Sequence, residues 1–296
     1  MRWLKKHIIT FVLLVFLLAG FGLILYPSVS DWWNSMHMSR AIASYIDTVN
    51  TMDETQSRQV LKEAREYNEH LRTLPDHWHL SDEELAYYEK MLNVDGSGVM
   101  GYLTIPKIDV RLPVYHGTEE AVLQRAIGHL EGTSLPVGGK GTHAVVSGHR
   151  GLPGARLLTD LDRMQIGDTF YLTVLNQTFT YAVDQIKVVL PSEMEELEID
   201  PEQDYVTLVT CTPYGINTHR MLVRGHRIPN PQGAAEASDE AYQIAVKQIV
   251  PIALIPTVLI LLIIGLLLPG SRVNLISMAE VDEALEMMER KRRRRR

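Results

Sequence analysis

The stretch Tyr205-Val206-Thr207-Leu208-Val209-Thr210-Cys211, followed after an eight-residue connection by Arg220-Met221-Leu222-Val223-Arg224-Gly225-His226-Arg227-Ile228, decides how this chain is read. Both segments are rich in apolar and β-branched residues, and Pro213, Gly215 and Asn217 between them supply turn chemistry. A hairpin follows, with Cys211 and Arg220 facing each other at its loop end. Adjacent strands lie about 4.8 Å apart, so a thiol and a guanidinium placed there reach one reacting carbonyl.

Working outward, residues 102–105, 144–147, 169–175 and 179–189 have the same texture, separated by Gly, Pro, Asn and Asp. Short strands at this spacing predict a mainly β domain over residues 96–230, closed and antiparallel, with a short helix at 119–126. Before it, residues 27–95 read as helical. Ile42, Tyr45, Ile46 and Val49, then Val60, Ala64 and Tyr67, recur at helical steps and predict two helices between residues 39 and 74. Pro75 ends that pattern, Asp76-His77-Trp78-His79 forms a loop, and Ser81 with Glu84 makes the capping-box signature of a third helix.

Cys211 is the only cysteine, so it is inert, intermolecular or reactive. A reactive thiol needs a base or a nearby positive charge. Of the eleven histidines, His149 is best placed, because strand 144–147 delivers Gly148-His149-Arg150-Gly151 into a loop. His143 precedes that strand and reads as a core or orienting residue, which leaves it the runner-up, and strand alternation points His219 away from Arg220. Neither His77 nor His79 has the cysteine or carboxylate pattern of a zinc site, so no metal is expected, and nothing calls for a cofactor. There is no Gly-x-Ser-x-Gly elbow. Gly138-Gly139-Lys140-Gly141 lacks the spacing of a phosphate loop, and Glu195-Glu196 belongs to a solvated charge run.

Two runs, residues 8–26 and 249–268, are long and apolar enough to cross a hydrocarbon core of about 30 Å. Arg2, Lys5 and Lys6 precede the first; Arg272 and the terminal Arg290 to Arg296 basic cluster follow the second. Positive flanks stay inside, which predicts two anchors, cytoplasmic residues 1–7 and 269–296, and an external segment 27–248 that includes a linker at 231–248. The first run exceeds a signal-peptide core and lacks a clear cleavage site, so it reads as an uncleaved anchor. The external segment carries 18 basic against 31 acidic residues, a net of −13, which argues against a nucleic-acid partner. The arginine run reads instead as an anionic-lipid contact, and Leu275, Met278, Val281, Leu285 and Met288 give one apolar helical face beside it.

Thr207-Leu208-Val209-Thr210-Cys211, with Arg220 nine positions on and the Gly148-His149 element upstream, resembles the signature of the sortases. The resemblance runs from about Val99 to Ile228 and is strongest to the class C, pilus-assembling sortases, through Ile105-Pro106-Lys107-Ile108, Tyr115-His116-Gly117-Thr118, Thr133-Ser134-Leu135-Pro136 and Cys211-Thr212-Pro213-Tyr214-Gly215. It implies an eight-stranded sortase-type β-barrel with an N-terminal helical lid region and two flanking transmembrane helices. It implies Cys211 as nucleophile, His149 as acid/base and Arg220 as anion stabiliser, acting on a Leu-Pro-x-Thr-Gly-like sorting signal and passing the acyl group to a pilin lysine. It also implies a lid, with Asp76 pairing with Arg220 and Trp78 covering Cys211. His77 stands where that lid motif has proline, and so leaves the lid backbone freer. The rivals are a housekeeping sortase using lipid-linked peptidoglycan precursor, a membrane cysteine protease, and a noncatalytic binding module.

Overall fold

The computed structural model describes residues 2–231. The candidate span at 249–268 and the apolar face at 275–288 lie outside the described residues. Helix α1 (Arg2–Thr51) runs unbroken for 50 residues. It joins the apolar run to the first of the two expected helices, where the sequence pattern suggests separate elements. Between residues 27 and 38 only Pro27 disfavours a helix, and its single lost hydrogen bond is tolerated when the turns on both sides are well formed. This helix is long and apolar enough to cross a membrane by length and composition, and its apolar window is not buried within the protein.

Helix α2 (Glu54–Leu71) is amphipathic and begins with a capping box between Asp53 and Gln56. Helix α3 (Asp82–Tyr88) begins with the expected Ser81/Glu84 box. Two polar side chains bolt α1 and α2 to the barrel. Tyr45, fully buried, donates its hydroxyl to Met100 O at 2.9 Å and accepts from Leu175 N at 2.8 Å. Asn68 donates to Leu135 O at 3.1 Å and accepts from Leu135 N at 2.7 Å. Buried and satisfied, each bond contributes about 1 kcal/mol, and losing one partner would cost more than that.

The strands are β1 (Val99–Ile105), β2 (Val110–His116), β3 (Ile127–His129), β4 (Thr142–Ser147), β5 (Thr169–Val174), β6 (Gln177–Val189), β7 (Asp204–Thr212) and β8 (His219–Ile228), with the short helix α4 (Glu120–Leu123) between β2 and β3. They close in the order β1-β2-β3-β4-β7-β8-β6-β5. The barrel is mixed, which corrects the antiparallel expectation. β2 pairs with β3 and β4 pairs with β7 in parallel. Parallel neighbours need a crossover connection, and here α4 bridges the first pair while the whole β5–β6 hairpin bridges the second. The arrangement puts β7 in the interior of the sheet, between β4 and β8.

Candidate active site

The β7–β8 register sets Cys211 directly opposite Arg220. Cross-strand partners point to the same face of a sheet, so the thiol and the guanidinium share one side of the hairpin. His219, one residue earlier and opposite Thr212, falls on the other face, as alternation requires. Arg220 Nη1 donates to His219 O at 3.2 Å and to Asn217 O at 3.3 Å, so the hairpin loop itself holds the guanidinium. Asn217 takes a left-handed φ of 60° there, a conformation Asn adopts more readily than most residues. Cys211 is a half-buried free thiol.

His149 arrives from the other neighbour of β7. Ser147 pairs with Val209, and Gly148 N donates to Val209 O at 3.0 Å. Thr210 Oγ1 donates to Gly148 O at 2.8 Å, which fixes the backbone just ahead of the histidine. Continuing the parallel register by two residues carries His149 alongside Cys211. Position 148 favours glycine, because a Cβ there would lie 2.6 Å from Ile127 Cγ2 and 3.0 Å from Leu158 Cδ1 and force a local shift. His149 Nε2 is buried without a hydrogen-bond partner; the nearest carboxylate oxygen, on Glu120, stands 3.8 Å away, beyond bonding distance.

Arg220 also lines a groove of about 180 Å³ with apolar walls from β4, β7, β8 and the β6–β7 loop, among them Val145, Val209, Leu222, Met194 and Leu197. Trp78 packs against this apolar cluster. The lid expectation is corrected in its contacts. Asp76 accepts from Trp78 N at 3.0 Å and from His79 Nδ1 at 2.8 Å, and no ion pair joins it to Arg220 among the described residues. With a histidine three residues on, its carboxylate folds into its own turn, and the His79 hydrogen bond draws its pKa down. The carboxylate that holds the segment is Glu198, from the β6–β7 loop. Trp78 Nε1 donates to its Oε1 at 3.0 Å, and His77 Nε2 lies 3.3 Å from its Oε2. His77 Nδ1 meets Gly132 O at 2.7 Å.

Glu198 escapes a sequence reading because it sits beside an acidic run that reads as solvated. Its signal is the even spacing of Leu197 and Ile199 around it. His143 is structural: buried, its Nδ1 on Glu198 O at 2.9 Å and Nε2 on Thr207 Oγ1 at 2.7 Å, with burial lowering its pKa.

The Sortase domain family matches residues 103–228, which contain all three of Cys211, His149 and Arg220. Sortase C1 of Streptococcus agalactiae is 53% identical, with 65% of this chain covering 100% of that one at a TM-score of 0.64. The chain belongs to the sortase family. Sortase C of Streptococcus pneumoniae is 46% identical over 64% of this chain and 97% of its own, with a TM-score of 0.59. Among curated sequences, sortase A of Streptococcus agalactiae is 31% identical over 146 residues, 48% of this chain and 58% of that protein. This sortase thus spans little more than half the length of that curated relative, whereas it covers the class C structures nearly end to end.

Proposed function

We propose that this sortase is a membrane-anchored cysteine transpeptidase of the pilus-assembling class, cutting a Leu-Pro-x-Thr-Gly-like signal between Thr and Gly and joining the new acyl end to a pilin lysine. The observation that carries the reading is the direct opposition of Cys211 and Arg220 across β7–β8, with His149 delivered by the strand on the other side. In this reading Cys211 Sγ attacks the Thr carbonyl carbon as its proton passes to His149. The carbonyl electron pair moves onto oxygen, where Arg220 N–H groups receive it, a contribution of a few kcal/mol for fixed donors. Collapse breaks the C–N bond, and His149 returns its proton to the departing glycine amine. A lysine amine then attacks the thioester, forming the new amide and releasing the thiol.

The apolar groove beside Arg220 suits the Leu-Pro end of the signal, and Trp78 packed against the same apolar cluster suits a lid on substrate entry. The class assignment draws on the similarity to the class C structures, of which the Streptococcus pneumoniae sortase C bears on pilin substrate specificity. The similarity to sortase A relatives favours a second reading in which lipid-linked peptidoglycan precursor is the acceptor. Two anchors, with both ends of the chain cytoplasmic and the barrel outside, complete the reading; α1 supports the first of them. Incubation with a sorting-signal peptide, followed by intact-mass measurement, tests the chemistry. A thioester adduct at Cys211, resolved by a pilin-lysine peptide faster than by water or a peptidoglycan amine, is the expected result; no adduct overturns the reading.

A further inference from the structure

Burial along α1 begins at one turn. The surface from Val12 to Val29 is mostly exposed, whereas Ser30, Asp31 and Asn34 are half-buried. What covers them is the connection between β4 and β5, the segment that starts at His149. Asn34 Nδ2 donates to Gly154 O at 2.5 Å, and Ser30 Oγ donates to the same carbonyl at 3.3 Å. Arg156 N donates to Asp31 Oδ1 at 2.7 Å. The approach is close enough that a Cβ on Gly154 would sit 2.9 Å from Ser30 Oγ.

The feet of the same loop stand in the site. Leu158 N donates to His149 O at 3.3 Å, closing the loop on the histidine. Arg150 Nη1 reaches Thr212 Oγ1, next to Cys211, at 3.5 Å, and Arg150 also pairs with Asp162. The segment 149–158 is therefore pinned at its feet by the barrel and at its crest by α1.

We propose that Ser30, Asp31 and Asn34 are positioning residues, clamping the crest of this loop so that His149 and Arg150 are set relative to Cys211 from the membrane-proximal part of α1. The inference rests on the transpeptidase reading and adds to it a reason for the helix to be continuous. At about 1.5 Å per residue, the clamp stands roughly 6–12 Å along the helix from Tyr26, the end of the apolar run. The headgroup layer is roughly 5–8 Å deep on each side, so the clamp lies about its outer edge and would also set the height of the site above the bilayer.

The test uses the full chain in detergent micelles, with Asp31→Ala, Asn34→Ala, and Asp31→Asn, which keeps an oxygen acceptor for Arg156 N. Amide hydrogen exchange, single-turnover thioester formation with a sorting-signal peptide, and its pH profile are measured together. Both alanine variants are expected to speed exchange across residues 150–158 and leave β4 and β7 unchanged. They should slow thioester formation about tenfold without raising the peptide KM, a size in keeping with small misplacements of catalytic groups. The limb of the pH profile belonging to His149 should move, and Asp31→Asn should restore wild-type behaviour in all three measurements. Unchanged exchange in the alanine variants overturns the clamp; faster exchange with unaltered rate and pH profile, or an Asp31→Asn as impaired as Asp31→Ala, overturns the positioning role. A wild-type chain that forms no thioester removes the transpeptidase reading and with it the positioning role, while exchange alone still decides whether the clamp exists.

Discussion

The indole nitrogen of Trp78 donates to Glu198 Oε1 at 3.0 Å, and His77, tilted against the indole at 4.5 Å between ring centroids, reaches the other oxygen of the same carboxylate. One acidic side chain thus holds both rings of the segment whose Trp78 packs against the apolar cluster of Val145, Leu197, Val209 and Leu222. Glu198→Ala should free that segment and raise kcat/KM for a sorting-signal peptide by about three- to tenfold, since a hydrogen bond to a charged group contributes about 1.5–3 kcal/mol and this carboxylate is largely exposed. Asp76→Ala, whose carboxylate serves only its own turn, should have a smaller effect. Steady-state kinetics on the two variants separates them, and a larger effect at Asp76 would return the latch to that residue.

Arg220→Lys should lower thioester formation by about 10²- to 10³-fold, because an ammonium cannot reproduce the planar set of donors that guanidinium offers a developing oxyanion. Thermal stability should hardly change, since among the described residues the guanidinium bonds to carbonyls of its own loop. Single-turnover rates alongside melting curves test the pair of expectations. A rate near wild type would make Arg220 a structural charge.

Gly148→Ala should be felt in the site before it is felt in the fold. The added methyl meets Ile127 and Leu158 at 2.6 and 3.0 Å, and the easiest relief is a shift of the backbone that carries His149. Overpacking of this kind costs about 1–3 kcal/mol, so the barrel should still fold. Thioester formation is expected to fall at least about tenfold, as misplacing a catalytic group by a fraction of an ångström does.

Stability should depend on pH through His129. It is fully buried in the barrel; its Nε2 lies 2.8 Å from Ser134 O and its Nδ1 3.0 Å from Tyr88 Oη, which suits a neutral ring. Burial lowers its pKa from 6.5 to about 4. The unfolded chain therefore takes up the proton first as pH falls, and this contribution to stability is complete above about 6.5 and is lost progressively down to about 4. The loss amounts to at most about 3 kcal/mol. Urea midpoints at pH 7.5 and 5 should differ in the wild type and differ less in His129→Gln.

The parts of the fold legible in the sequence are those whose cause is local. The β7–β8 hairpin can be read because its strands alternate and its turn carries Pro213, Gly215 and Asn217. The start of α3 can be read because Ser81 and Glu84 satisfy each other's backbone within one turn. β2 is missed because Pro113 interrupts its pattern, and β3 because three residues carry no period. The parallel pairing of β4 with β7 is invisible for a different reason, since nothing within either strand states which distant strand it will meet. Cys211, Arg220 and His149 are marked as candidates by their places at strand ends. Glu198 is not, because a carboxylate that binds two rings across more than a hundred residues looks, in sequence, like any other surface acid.

The place of β7 between β4 and β8 has a consequence for how the chain comes to life. Until residue 228 has been made and laid down, β6 lacks its outer neighbour and the thiol lacks its guanidinium. The β6–β8 pairing, which joins Thr180 to Ile228 and Val189 to Arg220 around the whole of β7, forms late, because a long loop must close before any contact rewards it. A polypeptide stalled or clipped ahead of residue 219 would present two raw strand edges, a state prone to sticking to other chains and recognisable to quality-control proteases. It would also hold Cys211 without its cross-strand partner, so closure of the last seam is the event that sets Arg220 beside the thiol.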